Sequence, residues 1–265
     1  MKKIIFVMFA LVMVANEALA FNDYGHKSIV TLANKYLTEN AKKEVKAILN
    51  NEMVNEAVWL NTLRKKPETE YTKDWHFFQL DENHKSTTVD ANDGVVVLEK
   101  AISVLRDRKN HSEVDVQTAL RTVIHLVGDM HCLSHIRIAG VEETKGFTFY
   151  HWNEIESEKG RKDWKSKWYN HWNNGYFGRY QAVFPVDYHA DDIDIHCNAK
   201  KAEYEKGTPR FWAENVGEDV VRALKDFQPG ESVRTKVIQL YEYNHVKCMA
   251  KASYRLAALL NDIFK

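Results

Sequence analysis

Apolar residues recur at three-to-four spacing along most of the chain, the period of an amphipathic helix. Ile29, Leu32, Tyr36 and Leu37 form one such face, Met53, Ala57, Leu60 and Leu63 a second, and Val95, Leu98, Ile102 and Leu105 a third. A fourth runs from Leu120 and Val123 into the stretch Arg121 to His135. Thr208-Pro209 has the cap-then-proline form of a helix start, followed by Trp212, Val216, Val220 and Leu224, and Pro229-Gly230 breaks that run. One last helix, or a pair, is expected from Val233 to Phe264. Between Phe147 and Trp152 the period changes, and aromatic and β-branched residues predict a short strand, half of a small hairpin. The expected fold class is mainly α. No repeat, low-complexity tract or linker divides the chain, and Trp59, Trp75, Trp168, Trp172 and Trp212 are read as core anchors.

The first twenty residues stand apart from this pattern. Lys2 and Lys3 precede the apolar run Ile4 to Val14, and Ala18-Leu19-Ala20 supplies a small-x-small cleavage box, the form of a secretory signal peptide. Residues 1–20 are expected to be removed, leaving Phe21 as the first mature residue of an exported periplasmic or secreted protein without stable membrane association. Residues 21–265 are expected to form one helical domain. Losing Lys2, Lys3 and Glu17 changes 37 basic against 37 acidic side chains to 35 against 36. So neutral a chain has no global pull on nucleic acid or membrane, and a polyanion must be held by a local site. Of Cys132, Cys197 and Cys248, the sequence suggests a Cys197–Cys248 pair, since Cys132 lies inside the histidine stretch.

That stretch, RTVIHLVGDMHCLSH, places His125, Asp129, His131 and His135 within eleven residues. His125 and Asp129 are i, i+4, as are His131 and His135, so each pair stacks on one helix face. A curved helical face would present His125, Asp129 and His135 together. Imidazole and carboxylate are zinc donors, and a carboxylate has two oxygens with which to bridge two metals. Cleavage before Phe21 would add an α-amine able to chelate with its own carbonyl, with His26 five residues on. His76 lies in a short aromatic stretch, and Asn61 and Arg64 are i, i+3 on one helix face.

In this order the residues resemble the zinc-dependent S1/P1 nuclease family, whose fold is shared with bacterial zinc phospholipase C. Gly25-His26 hold the places of the family's Gly-His, with Phe21 where the family opens on Trp. The family's Trp-x-Asp-x-x-Arg is similar to Trp59 through Arg64, with Asn61 in place of Asp. Its His-x-x-Gly-Asp-x-His-Gln-Pro-Leu-His resembles His125 to His135, with Cys132, Leu133 and Ser134 departing. Its Trp-Ala-x-Glu-Ser is half kept at Trp212-Ala213, where Asn215 and Val216 replace Glu-Ser. Its Arg-Leu-Ala ending resembles Arg255 to Phe264.

The resemblance implies three zinc ions, two of them bridged at the position of Asp129. Metal ligands would then be Phe21, His26, Asn61, His76, His125, Asp129 and His135, with Asp129 and Arg64 as catalytic groups. The third zinc's His-x-x-x-Asp aligns with Tyr169 and Asn173, so both of those ligands are substituted. His171 is no simple replacement, being turned roughly 200° along a helix from Tyr169; His151 and Glu154 are the other nearby donors. With Asp129 the one remaining carboxylate, one or two zinc ions are expected here. The implied activity is hydrolysis of single-stranded DNA or RNA to 5′-phosphates by a metal-activated hydroxide. The alternatives are a non-catalytic binder of a metal or nucleotide, and a phospholipase C-like lipid hydrolase.

Overall fold

The computed structural model describes residues 21–141, 148–151, 164–167, 172, 181, 183–226 and 236–265. The expected leader, Trp168, Tyr169, His171, Asn173, Glu154 and Pro229-Gly230 lie outside these residues, as does the side chain of His151.

Helix α1 (Asp23–Lys35) begins where the Asn22 side chain accepts the Gly25 amide at 3.1 Å. It buries Ile29 and Leu32 as the spacing predicts, while Tyr36 and Leu37 follow just past its end. Helix α2 (Glu39–Leu49) is capped by Thr38 and stops at Asn50, which takes the left-handed conformation at φ 50°. The apolar face from Met53 to Leu63 is broken into two short helices, α3 (Met53–Glu56) and α4 (Trp59–Leu63). The break frees the Ala57 carbonyl to accept from His125 Nδ1 at 2.8 Å. Strand β1 (Phe78–Leu80) precedes α5 (Gly94–Arg106), which Asp93 caps by accepting the Val95 amide at 2.9 Å.

Helix α6 (Glu113–Met130) starts at the Ser112 cap with Glu113 and Asp115 in its first turn. Every residue from Thr122 to Met130 is buried, so its C-terminal half is covered on all sides. Strand β2 (Ile136–Ile138) then pairs with β1 in parallel, Phe78 opposite Ile136 and Leu80 opposite Ile138. Both strands bury their first and third residues and expose the second, the period of two that fits one face to the core. Strands β3 (Thr148–His151) and β4 (Trp164–Lys167) pair antiparallel, which bears out the expected hairpin.

Among the described residues four α-helices follow: α7 (Val186–Cys197), α8 (Lys201–Tyr204), α9 (Pro209–Asp226) and α10 (Lys236–Ile263). Pro209 opens α9 as predicted, and the last apolar stretch is one helix rather than two. Helix α1 packs against α7 and α10, and α5 against α6. The mainly α class is therefore observed. Trp172 and Trp212 are buried, while Trp59 and Trp75 are half-buried against the core.

The expected Cys197–Cys248 bridge is not formed: all three cysteines are buried and none is in a disulfide. The two sulfurs sit in different surroundings. Cys248 feels Asp219, Lys251, Lys247 and Cys132, whereas Cys197 feels Lys200, Asp194 and Lys247. Burial pushes the Cys248 thiol up to about 12 and the Cys132 thiol up to about 11, so both stay protonated near neutral pH.

Candidate metal centre

The predicted residues converge although they span the first half of the chain. Asp129, in the last turn of α6, is fully buried and meets three imidazoles. His76 Nδ1 lies 2.6 Å from Asp129 Oδ2, His125 Nε2 lies 3.2 Å from Oδ2, and His26 Nε2 lies 3.2 Å from Oδ1. The carboxylate thus faces His26 with one oxygen and His76 and His125 with the other. Ligand atoms of His26, His125 and Asp129 all fall within 4.8 Å of one another, a span that a single ion can bridge.

Each residue arrives by its own local device. His125 is one turn before Asp129 and is oriented by the Ala57 carbonyl, leaving Nε2 aimed at the cluster. His26 comes from α1 and stacks on His125 with ring centres 4.2 Å apart. It can do so because residue 128 is glycine: a Cβ there would lie 2.8 Å from His26 Nδ1. His76 ends a 3₁₀ segment that leads into β1. A second glycine, Gly94, lets the start of α5 press on this segment, since a Cβ would lie 2.5 Å from the Trp75 carbonyl oxygen.

His135 joins by a route that helical spacing does not give. Helix α6 ends at Met130, where the His131 amide turns to the Gly128 carbonyl, and His135 comes from the following 3₁₀ turn, Leu133–His135. Its Nδ1 bonds the His76 carbonyl oxygen, and its ring stacks on Phe77 at 5.1 Å. The expected curved helical face is thus replaced by a helix end followed by a 3₁₀ turn. His131 points elsewhere: its Nδ1 bonds the Val127 carbonyl at 2.7 Å and its Nε2 takes a 2.7 Å bond from the Arg255 guanidinium.

Asn61 on α4 is 2% exposed, and Arg64 at the end of that helix is 8% exposed. The Arg64 charge reaches both His76 and His135. Phe21 is buried edge-on to His26 at 6.3 Å, and its backbone bonds the Cys132 thiol. Sequence reasoning did not single out His245, which meets Phe21 at 6.3 Å and stacks on Trp172 at 5.0 Å. Its only signal was a polar residue within the apolar periodicity of the last helix.

Burial sets the protonation of the cluster. It lowers His26, with His125 adding to the effect; it lowers His76 to about 4 and His135 to about 3. Burial pushes the Asp129 carboxyl up, but His125, His76 and His26 outweigh it and hold it well below the usual range. Neutral imidazole beside ionised carboxylate is the state in which both are metal ligands. The donors also have unused capacity. Among the described residues no hydrogen-bond partner meets His26 Nδ1 or Nε2, Asn61 Oδ1 or Nδ2, His76 Nε2, His125 Nε2 or Asp129 Oδ1, although all are buried. So many unmet polar atoms in one place cost stability unless a cation or water satisfies them, and the donor set fits zinc.

A second buried polar cluster lies between α9 and α10. Lys251 donates to Asp219 at 2.9 Å and to Asn215 at 2.8 Å, and Lys247 reaches Asp219 at 3.3 Å. Arg255 donates to the Tyr204 carbonyl at 2.9 Å and to Asn215 at 3.2 Å, besides His131. Asp219 thus supplies a carboxylate one turn beyond Asn215.

Comparison with known proteins agrees with the motif reading. The S1/P1 Nuclease family profile matches residues 21–265. Nuclease S1 of Aspergillus oryzae (strain ATCC 42149 / RIB 40) is 22% identical over 143 residues, which is 49% of this chain and 49% of the relative. That match spans about half the length of the curated relative.

Proposed function

This chain belongs to the S1/P1 nuclease family, and from that premise we propose that it is an exported, zinc-dependent phosphodiesterase. It would hydrolyse single-stranded DNA or RNA to products ending in a 5′-phosphate. The observation that carries this reading is the group of buried donors around Asp129 with unmet hydrogen-bonding capacity. Such a group serves a metal better than it serves the fold.

In this reading the single domain 21–265 starts at Phe21 after removal of residues 1–20, and the Phe21 amine and carbonyl join the ligands. His26, His76, His125 and Asp129 would hold the metal, with Asp129 using both oxygens. His135 would take part from the far side of His76, and Asn61 would offer its amide oxygen. Zinc ions supply Lewis acidity, lowering the pKa of water toward neutrality and offsetting phosphate charge. The remaining work falls to the chain. Arg64 would brace the non-bridging oxygens of the phosphodiester. Burial disfavours the charged form of His26, His76 and His135, which keeps the charge balance in favour of binding a dication. Among the described residues no helix is long and apolar enough to cross a membrane.

Asn61 also favours a second reading, binding of a metal or nucleotide without turnover, since it offers a neutral amide where a carboxylate would bind zinc more tightly. Elemental analysis of protein with an authentic Phe21 terminus, alongside hydrolysis of a single-stranded oligonucleotide, separates the two. One or two zinc ions with cleavage supports the enzyme, zinc without cleavage supports the binder, and no zinc rejects both metal readings. Asn61→Asp should raise zinc affinity; an unchanged affinity would remove residue 61 from the ligand set.

A further inference from the structure

The segment from Arg64 to His76 runs from the arginine whose charge reaches the site histidines to a histidine that meets Asp129. The segment is fixed in place. The Lys66 amide bonds the Leu63 carbonyl at 2.9 Å, the Thr69 hydroxyl donates to the same carbonyl at 2.6 Å, and the Thr72 hydroxyl donates to the Thr69 carbonyl at 2.8 Å. Pro67 opens the 3₁₀ segment. The result is a cleft of about 290 Å³ lined by Arg64, Lys65, Lys66, Pro67, Glu70 and Lys73. It holds four cationic side chains against one carboxylate in a chain whose formal net charge is zero. Glu70 is taken up by Lys73 in an i, i+3 pair, whereas the exposed Lys65 and Lys66 side chains have no ionic partner among the described residues.

Basic surface lysines ordinarily serve solubility, but three features set these apart. They share a concave cleft with Arg64, whose buried charge reaches the site histidines. They are adjacent to that arginine in sequence, on a braced turn. Finally, Tyr71, 59% exposed and set edge-on to Trp75 at 5.5 Å, stands on the same segment as an aromatic face open to solvent. Lysines along a groove beside an exposed aromatic are the elements of single-strand binding: cations track the phosphates and a ring stacks a base.

We propose that Lys65 and Lys66, with Arg64 at the inner end of the cleft, form a subsite for a backbone phosphate flanking the one at the metal centre. Tyr71 offers the adjoining base a stacking surface. The subsite rests on the nuclease reading and deepens it: it selects a polynucleotide strand over a mononucleotide. A lone nucleotide carries a single phosphate and leaves the lysines unused.

The test is fluorescence anisotropy of a labelled phosphorothioate oligothymidylate on the zinc-loaded protein, with thymidine 5′-phosphate as competitor, over a range of sodium chloride. Lys65→Ala/Lys66→Ala should weaken strand binding about tenfold and make the slope of log affinity against log salt shallower by about 0.7, the value for one lost phosphate contact. Affinity for thymidine 5′-phosphate should not change. Lys65→Arg/Lys66→Arg should restore strand affinity and slope. Lys43→Ala/Lys109→Ala, the same charge change at exposed sites outside the cleft, should have little effect. The subsite is overturned if the double alanine variant matches the parent, or if the control loses as much affinity. The nuclease reading fails separately: strand binding that depends on the lysines without cleavage by the parent keeps the subsite and removes the enzyme, whereas cleavage with lysine-independent binding does the reverse.

Discussion

Two buried polar clusters face each other in this protein's economy of charge, and they differ in how well the chain satisfies them. Between α9 and α10, Asp219, Lys251, Arg255, Asn215 and His131 donate and accept among themselves, and none of their buried side-chain polar atoms is left without a hydrogen bond. Around Asp129, the donors of His26, His76, His125 and Asn61 are equally buried and largely unmet. Burial of polar groups therefore does not mark a site by itself. Unused bonding capacity does, because folding alone gives no reason to leave it unused.

The sharpest test of that difference is Asp129→Asn. It removes the one carboxylate of the metal cluster, and zinc per chain should fall toward zero. Strand cleavage should drop by about 100-fold or more, the size of effect expected when a charge-stabilising group is lost. Retained zinc in the variant would show that Asp129 is not the organising ligand.

Acid should act on both clusters, through three histidines around Asp129 and one beside Arg255. His26, His76 and His135 are held below their ordinary value by burial, and His131 well below it by burial and Arg255. A histidine lowered in the fold binds fewer protons than in the unfolded chain. Its stabilising share is full above about pH 6.5 and is lost as pH falls through that value toward the folded pKa. Each such histidine should remove about 1.4 kcal/mol per pH unit in that window. Urea unfolding of zinc-free protein at several pH values measures this. A flat profile between pH 6.5 and 5 would contradict the buried, neutral state of these rings.

In the satisfied cluster, Lys251→Met should destabilise by about 3 kcal/mol, since it leaves Asp219 buried with a poorer partner. Zinc content should stay at the parental level, as read by denaturant titration and elemental analysis side by side. A loss of zinc would mean that the two clusters are coupled. The smallest effect is expected for Gly128→Ala. The added methyl would press on His26 Nδ1, so zinc affinity should fall by about tenfold. Global stability should stay within about 1 kcal/mol, because alanine is the better helix former.

Much of this was legible in the sequence. The helical period found the faces of α1, α5, α6 and α9, and the change of period before Trp152 found the hairpin. The histidine–aspartate spacing found His125 and Asp129 because i, i+4 neighbours on a helix must meet. What was not legible depended on backbone turns and on contacts between distant segments. No periodicity shows that a break between α3 and α4 would free the Ala57 carbonyl to orient His125, or that His135 would enter through a 3₁₀ turn. The cysteines misled for a related reason: an exported chain suggests a bridge, but which thiols meet is decided by helix packing. His245 became visible only when α10 met the Phe21 segment, and the role of Gly128 only when α1 packed on α6.

The pairing of β1 with β2 has a kinetic consequence. His76 sits two residues before the first paired position of β1, and His135 directly precedes β2, so the parallel ladder clasps these residues together. A parallel ladder between distant segments requires a long loop to close, which makes it a late event in folding. A zinc ion that draws on both sides of this clasp finds no ready-made site in the unfolded chain. Opening the clasp and releasing a bound metal would then be one step, and zinc would act chiefly as a brake on unfolding, with little effect on the speed of folding. Hydrogen exchange at the amides of β1 and β2 would register that brake as protection that grows with bound metal.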